Sequence, residues 1–258
     1  MSIETYKTLV REYCPAIDIH SASLTKDGWV SDVLDVNGEY IFKFPKFDWT
    51  EELYEKEGLL LPRLARSLSF AVPSFEFDFR VHDRTFGRVV GYRKIIGEPL
   101  SKSSPHAGSL ALHLGALLSE IHRFPVDRAH EAGVPVIDPS AWRHQYERHY
   151  RWLRDEAFRI LSVSARVYTE RLYEDFLSDE SNFGFEPVLV HGDLGCEHIL
   201  CDQRSGRIVG IIDWGEVMVG DPADDFAAIK VGLGGDLVRA VVSSYAGAPD
   251  AAFWRRVE

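Results

Sequence analysis

Three short acidic motifs in the second half of the chain carry the residue types of phosphate-transfer chemistry. The first, His191-Gly192-Asp193-Leu194-Gly195-Cys196-Glu197-His198-Ile199-Leu200, places His191, Asp193 and His198 in one polar loop directly after the apolar run Val188-Leu189-Val190. Twenty residues beyond Asp193, Asp213 ends the apolar run Ile208-Val209-Gly210-Ile211-Ile212 and opens Asp213-Trp214-Gly215. A loop that returns through a hairpin can bring Asp193, His198 and Asp213 to one mouth, the arrangement that in-line phosphate transfer with bound magnesium needs. Either acid alone reads as a turn residue, because Asp commonly closes strands by bonding nearby backbone amides. The third motif, Gly220-Asp221-Pro222-Ala223-Asp224-Asp225-Phe226, adds a spacing that three unrelated turns do not account for.

The elements that must position these residues follow from periodicity. Val33-Leu34-Asp35-Val36 and Tyr40-Ile41-Phe42-Lys43-Phe44 flank Asn37-Gly38, a dipeptide that favours the positive φ angles of a tight hairpin turn. A period of two puts Tyr40, Phe42 and Phe44 on one face and Ile41 and Lys43 on the other, so Lys43 is a charge on a mostly apolar strand. Residues 51–68 turn helical, with a stripe of Leu53, Leu60, Leu61, Leu64 and Leu68, and the acids Glu51, Glu52 and Glu55 read as a solvated face. A second hairpin follows, with Phe75, Phe77, Phe79 and Val81 alternating with polar residues before a turn at 83–87.

Residues 96–109, rich in Gly, Pro and Ser, form the best linker in the chain and set the expected boundary between an N-terminal lobe, 1–96, and a C-terminal lobe, 97–258. Beyond it, Leu114, Leu117, Leu118 and Ile121 mark an amphipathic helix ending near Pro125, and the Pro-free and Gly-free stretch 141–181 is predicted to be mostly helix. The aromatics from Trp142 to Trp152 could line an acceptor pocket, and at helical spacing they read first as core.

On His191-Gly192-Asp193-Leu194 with His198-Ile199-Leu200, on Ile212-Asp213-Trp214-Gly215, and on Gly220-Asp221-Pro222 with Asp225, the sequence resembles the aminoglycoside phosphotransferase family, including its macrolide phosphotransferase branch. The resemblance implies an α+β, bilobal protein-kinase-like fold: a small N-terminal antiparallel sheet lobe with one main helix, for the nucleotide, and a mainly helical C-terminal lobe for catalysis and the acceptor. It implies that Asp193 is the catalytic aspartate, orienting the acceptor hydroxyl, and that Asp213 binds the metal. Lys43 matches the lysine that reaches the α- and β-phosphates, and Glu57 is its expected helix partner. Gly28 and Ser31 fall in the loop over the nucleotide, where backbone amides and a hydroxyl can meet phosphate oxygens. Residues 92–96 are the expected connection that meets the purine.

His198 stands where most such kinases carry asparagine, and imidazole nitrogen is a poorer ligand for Mg²⁺. It is placed beside the metal, with bonding to Asp193 or contact with phosphate as open alternatives. His191 and Asp225 are expected to brace the loop. Cys196, His198 and Cys201 lack the fourth ligand and spacing of a zinc site.

The implied activity is transfer of the γ-phosphoryl of ATP or GTP, with Mg²⁺, to a hydroxyl of an aminoglycoside or macrolide. Alternatives are a kinase of a metabolite such as choline or homoserine, and a pseudokinase that binds nucleotide without turnover, a reading prompted by His198 and by the 33 residues that follow Asp225. A net charge of −11 disfavours nucleic acid as a partner and suits a cationic small molecule. Three unevenly spaced cysteines fit a reducing compartment, and no signal-like or membrane-length apolar segment occurs, so the expected location is the cytoplasm and no membrane partner is expected.

Overall fold

The computed structural model describes residues 1–81, 86–100 and 107–258. Most of the expected turn at 83–87 and the middle of the expected linker at 96–109 lie outside the described residues. In chain order the helices are α1 (Ile3–Tyr13), α2 (Thr50–Leu64), α3 (Ala107–His122), α4 (Val126–Glu131), α5 (Pro139–Trp152), α6 (Val163–Ser178), α7 (Ala223–Leu233), α8 (Gly235–Ser244) and α9 (Phe253–Val257). The strands are β1 (Ala22–Thr25), β2 (Ser31–Val36), β3 (Tyr40–Pro45), β4 (Phe75–Arg80), β5 (Arg88–Arg93), β6 (Glu98–Pro99), β7 (Val188–Val190), β8 (Ile199–Cys201), β9 (Ile208–Ile211) and β10 (Met218–Gly220).

Two compact units form, one from Met1–Leu100 with Glu197–Glu216, the other from Ser101–Cys196 with Val217–Glu258. These units group residues by contact, whereas the lobes 1–96 and 97–258 group them by role, and the two partitions differ over Glu197–Glu216.

In the first unit β1–β5 make an antiparallel sheet of order β1-β2-β3-β5-β4. Asn37 and Gly38 take the left-handed φ values, 60° and 70°, that their turn requires. The period of two then sorts β3: Phe42 and Phe44 go fully into a core with Tyr6, Val10, Leu34, Val36 and Val89. Tyr6 meets Phe44 edge to face at 4.9 Å, and burying each such ring contributes about 2 kcal/mol. Lys43 and Ile41 are left for the opposite face.

Helix α2 begins one residue before and ends four residues short of the expected span 51–68. Its buried stripe is Thr50, Tyr54, Glu57, Leu60, Leu61 and Leu64, polar in the first two turns and apolar in the last two. Glu51 departs from the expected solvated face: Arg80 pairs with it at 2.7 Å and the Arg88 backbone N–H donates to it at 3.0 Å, tying α2 to β4 and β5.

A second, three-stranded antiparallel sheet has the order β6-β8-β9, and Ala71 bridges to Gly210 beside it. The 197–216 segment thereby becomes part of the first unit, through pairing with the two residues of β6, the Ala71 bridge, and bonds to Lys43 and Lys56.

The second unit is mainly helical, with α3 packed on α8 and the short pair β7-β10 set among helices. The stretch 141–181 is mostly helix, as expected, divided between α5 and α6. After α5, capped at its start by Asp138 accepting from the Ala141 N–H, the helix widens into a π turn at Leu153–Ala157 and stops. Ser162 then accepts from the Ala165 N–H and starts α6. Trp142, Phe183 and Phe185 form a buried cluster to which Tyr146 and Phe176 add. Among the described residues no helix is long and apolar enough to cross a membrane.

Candidate active site

Lys43 is the electrostatic centre of the first unit. Its strand position aims it away from the aromatic core, and cross-strand pairing with Val33 and Val90 fixes where its stem leaves the sheet. The ammonium is almost fully buried and lies 3.2 Å from Asp213 Oδ1 and 3.6 Å from Glu57 Oε1. It also sits 5.6 Å over the Tyr54 ring. Burial alone pushes a lysine pKa down, but the carboxylates of Glu57 and Asp213 outweigh it and raise the pKa, so Lys43 is charged. Burial drives Glu57 upward against the pull of Lys43. Among the described residues Glu57 Oε1 has no hydrogen-bond partner, which leaves the ion pair loose rather than clasped.

Asp213 is set by the β8–β9 hairpin. Ile199 faces Ile211, and the Ile212 N–H donates to the His198 carbonyl at 3.0 Å, so the hairpin register brings residues 198 and 213 to the same end. The fully buried Trp214 donates from its indole N–H to the Ile211 carbonyl at 3.1 Å. Asp213 has φ 64°, a left-handed value that costs a non-glycine residue energy and marks a position constrained by its surroundings. Its carboxylate is 48% exposed, and His198 Nε2 lies 3.8 Å from Oδ2. Lys56, from α2, donates to the Gly215 carbonyl at 2.6 Å.

A cavity of about 370 Å³ opens on this face of the first unit. Val33, Ile41, Tyr92, Leu200 and Ile212 give it apolar walls, and Lys43 and Asp213 are among its polar lining. Residues 92–99, from the end of β5 through β6, contribute much of its border. This combination suits a flat apolar base carrying a polyanion. Residues 26–30 lead into β2. A Cβ on Gly28 would lie 2.6 Å from the Ser31 carbonyl oxygen, so the turn closes only on glycine. Ser31 is buried and its hydroxyl is shared with Tyr54 Oη at 2.6 Å.

The donor set fits a magnesium ion held chiefly by phosphate oxygens and water, because Asp213 offers an exposed, fixed carboxylate. No group of three His, Cys, Asp or Glu gathers as a protein-only metal cage among the described residues.

Asp193, His191 and Asp225 belong to the second unit. Asp193 is exposed in the loop after β7, behind Gly192, whose φ is 79°. Its own N–H donates to His191 Nδ1 at 3.3 Å. The fully buried Asp225 carboxylate accepts from the N–H groups of His191 at 3.0 Å and Gly192 at 3.1 Å. His122 Nε2 lies 3.1 Å from the same carboxylate, and its Nδ1 faces Tyr245 Oη at 2.8 Å. With Nε2 donating to Asp225, Nδ1 is left to accept from the tyrosine. His122, Tyr245, Lys56 and Tyr54 escape a sequence reading because their partners are far away in the chain, 103 residues in the case of His122 and Asp225.

The chain belongs to the phosphotransferase enzyme family (APH), which matches residues 26–257. Viomycin phosphotransferase from Streptomyces vinaceus is 30% identical over 156 residues, 58% of this chain and 52% of that protein. The structure of the GDP and kanamycin complex of APH(2")-IIia superposes with a TM-score of 0.89 at 27% identity, covering 98% of this chain and 86% of that one. The macrolide 2'-phosphotransferase MphH from Brachybacterium faecium shares the fold with a TM-score of 0.79 at 21% identity, covering 99% of this chain and 87% of that one. The expected fold class, an antiparallel sheet with one main helix followed by a mainly helical part, is thus that of the kinase-like APH enzymes, and the chain is a phosphotransferase.

Proposed function

We propose that the chain moves the γ-phosphoryl group of ATP or GTP to a hydroxyl of an aminoglycoside or macrolide antibiotic, inactivating it, in the cytoplasm and with Mg²⁺. The observation that carries this reading is the buried, charged Lys43 between Glu57 and Asp213 on the wall of an apolar cavity. Family membership and relatives whose names record viomycin, kanamycin with GDP, and macrolides support it.

In this reading residues 1–96 form the nucleotide-binding lobe and 97–258 the catalytic and acceptor-binding lobe. Lys43 holds the α- and β-phosphates and Glu57 keeps its ammonium in place. Gly28 and Ser31 bound the turn over the phosphates, where Gly28 admits close backbone approach and Ser31 anchors the turn to Tyr54. Asp213 holds the metal, with His198 beside it. Bound Mg²⁺ supplies neutralisation of phosphate charge and fixes the donor's conformation. Asp193 orients the acceptor hydroxyl and takes its proton. His191 and Asp225 brace the loop that carries Asp193. The net charge of −11 favours a cationic acceptor.

Mass spectrometry of a panel of aminoglycosides, viomycin, macrolides, choline and homoserine, incubated with Mg²⁺ and ATP or GTP, tests the proposal. A phosphorylated antibiotic is expected, and Asp193→Asn should lower its rate of formation by about 10²–10⁴-fold with the fold intact. Phosphorylation of choline or homoserine alone moves the acceptor to metabolism. Nucleotide binding without any product leaves a pseudokinase, and an Asp193→Asn variant of full activity overturns the role of that residue.

A further inference from the structure

On the reading of residues 26–31 as the turn over the donor phosphates, we propose that Lys46 is a positioning residue that aims this turn's backbone amides at them. Lys46 follows β3, three residues after Lys43. Its Nζ donates to the carbonyl oxygens of Lys26 at 2.6 Å and Gly28 at 2.5 Å. The ammonium also pairs with Asp32 Oδ1 at 3.4 Å, and the other Asp32 oxygen accepts from Tyr6 Oη. The Lys46 backbone N–H donates to the Val30 carbonyl at 2.9 Å, and Thr50 Oγ1 reaches that oxygen at 3.3 Å. Alternate carbonyls of the turn, at 26, 28 and 30, are therefore gathered by Lys46 and Thr50.

The functional consequence follows from peptide geometry. In a planar trans peptide the C=O of one residue and the N–H of the next point in opposite directions, and no cis peptide occurs among the described residues. Holding the carbonyls of Lys26 and Gly28 therefore turns the N–H groups of Asp27 and Trp29 away from the ammonium. Neither N–H donates to an acceptor among the described residues. Two free amides turned away from the same ammonium, in a turn that Gly28 keeps clear of side chain, make a donor pair suited to phosphate oxygens. Lysine fits the task because a tetrahedral ammonium has three donors for three diverging acceptors, which a planar guanidinium fork does not match.

Titration calorimetry with Mg²⁺ and non-hydrolysable ATP and GTP analogues, set against the parent nucleosides, separates aiming from folding. Lys46→Met should weaken analogue binding about tenfold, as expected for two weakened hydrogen bonds to a charged ligand, while leaving nucleoside affinity unchanged. Lys46→Arg should recover the melting temperature through Asp32 yet keep the weakened analogue binding. Tyr6→Phe should lower the melting temperature and leave analogue binding at the wild-type level. Wild-type analogue affinity in Lys46→Met, an equal loss of nucleoside binding, or a Tyr6→Phe variant that loses analogue binding as Lys46→Met does would each overturn the assignment. Failure of the wild type to bind the analogues, or indifference of their binding to Lys43→Met, would instead overturn the underlying reading of the nucleotide site.

Discussion

Asp224 and Asp225 are adjacent in α7 and hold protons in opposite ways. Asp225 is fully buried, which by itself would raise its pKa, yet His122 and the backbone N–H of His191 hold it below the usual carboxylate range. Burial first, and then the neighbouring Asp221 and Asp225 carboxylates, push Asp224 up to about 8. The unfolded chain ionises Asp224 near 4, so between about 4 and about 8 only the folded state keeps this proton, and stability falls as pH rises through that window. Asp224→Asn removes the titration. In urea melts the variant should be more stable than wild type by at least about 1 kcal/mol at pH 8, with the gap narrowing at pH 5. A gap that does not change with pH would mean that Asp224 is already ionised in the folded protein. At this scale the sequence was legible where a residue's place lay in its immediate neighbours, as for Asp193 in the loop after β7 or Asp213 at the end of β9. It was mute about protonation, because burial and the approach of His122 from another helix are set by tertiary packing.

Helix α2 shows how one element can be half core and half site. Thr50, Tyr54 and Glu57 follow the spacing that continues into Leu60, Leu61 and Leu64, so one face of the helix packs the unit at its C-terminal half and reaches the Lys43 cluster at its N-terminal half. The apolar part of this stripe was readable from periodicity. The polar part was not, since Glu57 stands in a run of acids, and the family resemblance rather than any period singled it out as the partner of Lys43. Lys56, beside Glu57, uses its ammonium to hold the Gly215 carbonyl, and desolvation lowers its pKa. That clamp acts on the segment in which Asp213 carries its left-handed backbone. Lys56→Met should therefore raise the Mg²⁺ concentration needed for half-maximal rate by about fivefold, the equivalent of roughly 1 kcal/mol for one lost hydrogen bond, with a smaller effect on the KM for the acceptor. An unchanged Mg²⁺ dependence would confine Lys56 to a structural part. The break between α5 and α6 marks the opposite limit of element-scale reading: no Pro or Gly announces it, and the Ser162 cap acts on a chain that composition alone lets run on as helix.

Across the whole molecule, the first compact unit is discontinuous in sequence. The wall of the cavity beside Lys43 draws Val33, Ile41 and Lys43 from one part of the chain and Leu200, Ile212 and Asp213 from another more than 150 residues away. The return of Glu197–Glu216 to this unit escaped the sequence reading because two residues of β6 carry the pairing with β8, too short a strand to leave any period. A ligand that binds only the folded unit stabilises it by mass action, about 2.7 kcal/mol at one hundred times its dissociation constant, and that stabilisation must appear wherever the cavity's lining comes from. Hydrogen exchange with and without a Mg²⁺–nucleotide analogue should thus show slowed amide exchange in 31–44 and in 199–213 together, with the same concentration dependence. The two segments have no sequence continuity, so joint protection is a signature of the discontinuous unit acting as one cooperative body. Protection confined to 1–100 would mean that the 197–216 hairpin opens independently of the rest of the cavity wall. The proposed assignment of Asp213 to the metal would then lose its support, because a carboxylate on an independently opening hairpin could not hold an ion against phosphates that Lys43 is proposed to bind.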